Sequence, residues 1–303
     1  MAKLPPIVVT SAMLRALWFI HAYRFLAVRQ VAEVTGQKEK TASEMLLRLE
    51  RQRVLGSFGN VGMRGYGKTP KLYYLTPTGY SFLVEHAEPL GYEIGPLRQA
   101  RGKTRWSPVM YHRLDVIDCL LALERSVWTK TNYSIFETLI EYRRRKVGMR
   151  WEPETADYIT APRTSDNRLV PDAGFVLERT DSGRRALFLV EVDRATERLT
   201  TTKVAARTQT ISYKMQQYDR YLLSDALAAK YQYLGDYAAP VVLFITTSTA
   251  RIHNIRDVLH TTDPLLHSRY RFSTLEAVRK NFLHNEWLSR DNDDSQMYQL
   301  VKG

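Results

Sequence analysis

Apolar side chains recur at helical spacing almost from the start of the chain. In "AMLRALWFIHAYR" the residues Leu14, Leu17, Trp18, His21 and Ala22 share one face, and Thr10 or Ser11 is placed to cap the helix. A second short pattern, "AVRQVAEVT", stops at Gly36, a residue suited to the left-handed turn that ends a helix. A third runs through "KEKTASEMLLRLERQRVLG", with Ala42, Met45, Leu46, Leu49 and Val54 inward. The pattern then shortens to a strand, a Gly-rich basic loop around Gly62, Gly65 and Gly67, and a second strand, "KLYYL". "TPTGYSFLVEH" starts a fourth helix, with Thr76 as cap and Pro77 in the first turn. Helix, helix, glycine turn, helix, then a wing, is the order of a winged helix-turn-helix.

Periodicity lapses over 93–108, "EIGPLRQARGKTRWSP", which reads as a basic linker. It resumes in "YHRLDVIDCLLALERS", a helix with Leu114, Ile117, Leu121 and Leu123 inward, while "IFETLIEYRRRK" suits helix or strand equally. "LVPDAGFVLE" and "ALFLVEVDR" read as strands joined by the turn residues of "RTDSGRR". After them come a long helix through "TERLTTTKVAARTQTISYKMQQYDRYLLSD", a buried strand "APVVLFITTS", a helix "TARIHNIRDVLHTT", and "YRFSTLEAVRKN", a strand or loop leading to a terminal helix. The expected fold class is α+β in two domains: a winged helix over 1–92, the linker, and an α/β unit with a mixed central sheet over 109–303.

Charge sharpens this division. The chain carries a formal +12, with 16 Lys/Arg against 7 Asp/Glu in residues 1–108 (net +9) and 28 against 25 thereafter (net +3). A basic surplus concentrated in the first third points to a polyanion met by that third. Lys38, Lys40, Thr41 and Ser43 cluster at the start of the third helix, the part that enters the major groove in such folds; Arg64, Lys68 and Lys71 line the wing, within reach of phosphates. Cys119 stands alone, which excludes an internal disulfide and a multi-cysteine zinc site, and its apolar helical setting makes it a buried structural thiol. No apolar run is long enough for a membrane span, and the start "MAKLPPIVV" lacks a secretory cleavage pattern, so the expected location is the cytoplasm.

The chemistry lies in the hairpin. Alternate strand residues share a face, so Glu191 and Asp193 of "FLVEVDR" project together. With Ser182 and Gly183 as a two-residue tip, Asp172 falls opposite Asp193 and diagonal to Glu191. Three close carboxylates in a partly dry site need a cation, or one of them takes up a proton. Oxygen ligands in small number suit Mg²⁺ or Mn²⁺, so the expected metal set is Asp172, Glu191 and Asp193. Strand-end charges paired with Arg184, Arg185 and Arg194 are the plain alternative.

"PDAGF" followed by "FLVEVDR" resembles the active-site strands of the PD-(D/E)xK nuclease superfamily, the fold of many restriction endonucleases. Taken with "YYLTPTGY", "YHRLDV", "VEVDR-T-E" and "KMQQY", the chain is similar over about residues 10–225 to the replication-relaxation family, associated with mobilisation of plasmids and integrative elements and related to the MOB-C type of conjugative relaxase. The resemblance implies a restriction-endonuclease-like second domain with Asp172, Glu191 and Asp193 at acidic catalytic positions. The superfamily's lysine position is held by Asp193. Lys214 matches the family's K-x-x-x-Y pattern and is the preferred migrated lysine, with Lys203 as runner-up.

The function implied is a metal-dependent endonuclease or relaxase. Asp172, Glu191, Asp193 and Lys214 would be its catalytic residues and double-stranded DNA of an origin region its partner, with a second copy or other mobilisation proteins beside it. Tyr218 keeps a covalent route open. Two rivals stand: an accessory or regulatory DNA-binding protein whose nuclease-like domain no longer cuts, and a dimeric repressor that needs only residues 1–92.

Overall fold

A computed structural model describes residues 8–63, 67–97, 106–129, 132–161, 163–202, 210–258, 264–290 and 297–300. The chain divides into two compact units, Met1–Ile117 and Asp118–Gly303. Residues 98–105 of the expected linker lie outside the described residues.

In the first unit, Thr10 Oγ1 accepts the Met13 N–H at 3.2 Å and starts α1 (Ser11–Tyr23). The buried part of α1 is broader than the stripe its spacing predicts: Met13, Phe19, Ile20 and Tyr23 are buried as well, while Trp18 and Ala22 stay half-exposed. The reason is that other elements pack around α1 on several sides. These are β1 (Leu26–Ala27), α2 (Val28–Thr35), β5 (Lys71–Leu75) and α4 (Pro77–Ala87). Gly36 ends α2 at φ 67° and ψ 20°, a conformation that costs glycine least. Next, α3 (Glu39–Arg51) buries Ala42, Met45, Leu46 and Leu49, the expected positions; Val54 is buried too but lies past the helix end. The wing consists of β2 (Leu55–Gly59), β3 (Gly62–Met63), β4 (Gly67–Lys68) and β5, with β5 central in the order β1-β5-β2. Thr76 Oγ1 accepts the Gly79 N–H at 3.0 Å and caps α4, as its position predicts. This is a winged-helix arrangement.

The second unit contains most of α5 (Val109–Trp128), since the division falls inside that helix. After it come β6 (Tyr133–Ile140), the hairpin β7 (Arg144–Val147) and β8 (Arg150–Pro153), the small pair β9 (Asp157–Tyr158) and β10 (Arg168–Leu169), then β11 (Ala173–Arg179) and β12 (Arg185–Asp193). The chain continues through α6 (Ile211–Leu222), α7 (Asp225–Tyr231), β13 (Tyr237–Thr246), α8 (Thr249–Val258), β14 (Tyr270–Thr274), α9 (Leu275–Lys280), β15 (Trp287–Leu288) and β16 (Met297–Tyr298). Seven strands form one mixed sheet in the order β16-β15-β14-β13-β12-β11-β6. β6, β11 and β12 are antiparallel neighbours, and β13 and β14 run parallel to β12. On one face Leu187 and Leu189 join Met215 and Tyr218 of α6 and Ile252 and Ile255 of α8 in a single core. On the other Phe175 stacks on Phe188, ring centroids 4.8 Å apart, with Phe282 edge-on to Phe175.

Two expectations need correction. The long helix after the hairpin begins only at Ile211, where Thr210 Oγ1 accepts the Tyr213 N–H at 3.2 Å; the described residues 195–202 are not helical. Threonines compete with a helix through their hydroxyls and favour its cap, and here the cap wins. The hairpin tip is also longer than two residues. Arg179 N–H donates to the Arg184 carbonyl at 2.9 Å, leaving Thr180–Gly183 as the loop, with Gly183 at φ 66°. Ala173 therefore pairs with Val190, which moves the register by two and sets Asp172 opposite Glu191 instead of Asp193. A shift of two keeps every side chain on its predicted face.

Candidate functional site

β12 is buried along most of its length, and its alternation puts Glu191 and Asp193 on the same face as Leu187 and Leu189, the face covered by α6 and α8. The two carboxylates are 2% and 4% exposed, and each meets a different helix. Lys214 and Tyr218, one turn apart on α6, both reach Glu191: the Tyr218 hydroxyl donates to Oε1 at 2.6 Å, and Lys214 Nζ lies 3.0 Å from Oε2. Lys214 also lies 3.2 Å from Glu197 Oε1, and its side chain stays 28% exposed, at the edge of the site. Asp172, just before β11, accepts the Val192 N–H at 2.8 Å.

Asp193 is held otherwise. Arg251 of α8 donates through Nε to Asp193 Oδ2 at 2.7 Å and through a terminal nitrogen to the Glu197 carbonyl at 2.6 Å. Thr246 Oγ1, on the neighbouring strand, reaches Asp193 Oδ2 at 3.2 Å, and the Ala195 N–H donates to Oδ1 at 2.9 Å. The expected set of three carboxylates is thus not assembled as a metal site. Among the described residues no group of three or more Asp, Glu, His or Cys side chains is placed to hold a metal ion. Sharing a face did not suffice, because Asp193 already has an arginine for its counter-charge.

What does assemble is a pair, Asp172 and Glu191, with Lys214. Burial pushes the Glu191 carboxyl up to about 8; the charge of Asp172 adds to this, while Lys214 and Tyr218 act against it. Burial alone would lower Lys214, but the charges of Glu191, Asp172 and Glu197 raise it above its ordinary value, so it is an ammonium. One lysine faces more than one carboxylate, and the surplus negative charge is relieved by a proton on Glu191. Tyr218 is fully buried, and its burial and its bond to Glu191 raise it well above the usual phenol range, which makes it a donor and a poor nucleophile. Lys203 lies outside the described residues.

In the winged helix, Lys38, Lys40 and Thr41 are exposed at the start of α3 and Ser43 is half-buried. Lys68 is exposed on β4, and Arg64 lies outside the described residues. Lys71 is engaged elsewhere: its Nζ lies 2.6 Å from Glu50 Oε2, tying β5 to α3. Glu50 also accepts from Ser57, and despite partial burial these bonds hold its carboxyl below the ordinary value. Sequence reading missed Arg48 and Arg51, which extend the exposed stripe of Lys40 and Glu44 along α3; their i+4 and i+7 spacing from Glu44 was the available signal. It also missed Arg251, which carries no local signature. Glu197 was visible as the last residue of "VEVDR-T-E".

Among solved structures, the chain is similar to Bordetella bronchiseptica BpsR, at 21% identity over 38% of this chain and 80% of that one, TM-score 0.24. It is similar also to a MarR family transcriptional regulator from Silicibacter pomeroyi DSS (20% identity, 40% of this chain and 72% of that one, TM-score 0.23). A third is Lactococcus lactis ZitR in complex with DNA, at 16% identity over 43% of this chain and 77% of that one, TM-score 0.22. These likenesses are too slight to carry function. Comparison with curated proteins gives no match. The replication-relaxation family, by contrast, matches residues 17–234, more than two-thirds of the 303 residues, and the chain belongs to that family.

Proposed function

We propose that the protein binds double-stranded DNA at a replication or mobilisation origin through its winged helix and hydrolyses a phosphodiester in its second unit, a PD-(D/E)xK nuclease-like core. The observation that carries the proposal is the meeting of Asp172, Glu191 and Lys214 at one end of the mixed sheet, with Lys214 Nζ 3.0 Å from Glu191. In the first unit, the exposed Lys38 at the cap of α3, Lys40 and Thr41 in its first turn and Lys68 of the wing are the DNA contacts, and Arg48 and Arg51 join them. Lys71 serves the fold through Glu50.

Asp172 and Glu191 fit a Mg²⁺ or Mn²⁺ ion as two hard oxygen donors, a number such ions accept when water and phosphate complete their shell. Asp193 does not fit, since Arg251 and Thr246 hold it. When bound, the ion would lower the pKa of a water and offset phosphate charge. Glu191 must give up its proton for this, and Lys214, freed from it, would remain as the cation that meets charge developing on the phosphate. Asp193 and Arg251 are positioning residues that fix the end of β12 on which Glu191 sits. The buried, hydrogen-bonded Tyr218 favours hydrolysis over a covalent tyrosine route.

One observation favours a second reading, a DNA-binding accessory protein with an inactive core: Glu191 and Asp193 each already have a cationic partner, Lys214 and Arg251, without an added ion. Incubating supercoiled origin DNA with Mn²⁺, with chelator controls, separates the two. Nicking by the wild-type protein that Asp172→Asn and Glu191→Gln both lose supports hydrolysis; tight binding with no nicking supports the accessory protein.

A further inference from the structure

The β7–β8 hairpin has no part in the site just described. The hairpin strands and their turn, residues 144–153, carry four exposed cations (Arg144, Arg145, Lys146 and Arg150) and one carboxylate, the half-buried Glu152, which pairs in register with Arg145. Met149 and Trp151 are 96% and 66% exposed at and beside the tip, where the fold gains nothing from their apolar surface. The register pairs Lys146 with Trp151 and Val147 with Arg150, so Arg144, Lys146 and Trp151 share one face of the ribbon and Arg145 and Arg150 the other.

The ribbon is held firmly at its root. Arg143 Nε lies 2.7 Å from Glu154 Oε2, with side chains 11% and 8% exposed, and the Glu154 N–H donates to the Arg143 carbonyl at 2.9 Å. The root also adjoins the acidic pair: the Glu141 N–H donates to the Asp172 carbonyl at 3.0 Å. A two-faced, mainly basic ribbon, anchored at Arg143 and Glu154, thus begins shortly after Glu141, the residue bonded to Asp172.

We infer that this hairpin is a second DNA contact, entering a groove of the duplex with its cations on the flanking phosphates and Trp151 and Met149 against bases or sugars. A two-stranded ribbon fits the major groove, and cations on both of its faces match the phosphate rows on either side. Self-association through this ribbon would bring a net charge of +3 (four cations less Glu152) against another of +3. The inference rests on the reading that the second unit handles DNA, and it gives the ribbon the task of seating the duplex next to Asp172 and Glu191.

The test uses the full chain and fluorescein-labelled duplex DNA, titrated by anisotropy from about 50 to about 200 mM salt. Arg144→Ser/Arg145→Ser/Lys146→Ser/Arg150→Ser should reduce the slope of log K against log salt by roughly 2–4 and weaken binding at least about tenfold. Trp151→Ala should weaken binding roughly tenfold, through the lost burial of its ring, with the slope unchanged. Arg143 and Glu154 stay in place, and unchanged circular dichroism and urea midpoint confirm folding. Wild-type affinity and slope in the fourfold variant would overturn the proposal, as would absence of DNA binding by the wild-type protein, or a variant whose sole change is loss of a dimer in sedimentation. Asp172→Asn and Glu191→Gln fail separately: if they leave nicking intact while the ribbon variant loses binding, the cleavage reading falls and the ribbon stands.

Discussion

Replacing Glu191 by glutamine removes the one buried carboxyl whose proton relieves the charge of its neighbours, and stability as a function of pH should report it. In the unfolded chain this group ionises near 4.5, whereas in the folded protein burial, with Asp172 adding to it, pushes it up to about 8. Between those values the folded state keeps a proton that the unfolded chain has lost. The wild-type protein must therefore lose stability as pH rises from about 4.5 to about 8 through this group, with a slope of at most about 1.4 kcal/mol per pH unit. The ceiling over the whole window is about 5 kcal/mol, and water entering the site would lower it. Glutamine has no proton to lose, so the slope should vanish. At pH 5, where Glu191 carries its proton, the glutamine amide offers Lys214 and Tyr218 the same single carbonyl acceptor and single donor group, so the two proteins should agree to within about 1 kcal/mol. As pH rises the two stability curves should separate, the wild-type protein becoming the less stable. Urea unfolding of both proteins at pH 5, 6, 7 and 8 measures this. Parallel curves would show that Glu191 is an ionised partner of Lys214 throughout, and the account of an acidic pair relieved by a proton would be wrong.

A divalent ion at Asp172 and Glu191 must displace that same proton, so Mn²⁺ affinity should rise about tenfold per pH unit below about 8 and level off above it, with proton release at pH 7 measurable by calorimetry in buffers of different ionisation enthalpy; Asp172→Asn should abolish the heat. Arg251→Met leaves Asp193, 4% exposed, without its cation and should cost about 3–5 kcal/mol in urea unfolding, with Arg251→Lys recovering part of it. In the winged helix a Cβ on Gly79 would lie 2.0 Å from the Val54 carbonyl oxygen, so Gly79→Ala should destabilise by about 1–3 kcal/mol, seen as a lowered urea midpoint.

Much of the winged helix was legible along the chain because local signals agreed with one another. Thr10, Gly36 and Thr76 act as caps or stops where their chemistry predicts, and the 3.6 period of α3 marked its buried side. The carboxylates followed a rule nearly as local. The period of two put Glu191 and Asp193 on one face of β12, and the two-residue error in register left Asp172 on that face. A lysine and tyrosine four residues apart were enough to mark Lys214 and Tyr218 as neighbours on α6. The local signals failed where threonines stood in a helical-looking run, since propensity alone does not say where a cap will end competition with the helix.

Counter-charges were decided only by the tertiary structure. Arg251 lies 58 residues from Asp193 and reaches it because β13 runs parallel to β12 and delivers α8 to the end of the sheet. Lys71 stands among the basic residues of the wing in the sequence, but the fold brings Glu50 of α3 within 2.6 Å of its Nζ. Alternation along a strand fixes direction, which depends on backbone geometry alone. Which charges converge depends on how distant segments pack, because electrostatic partners are set by proximity in space, and neither spacing nor composition encodes that proximity.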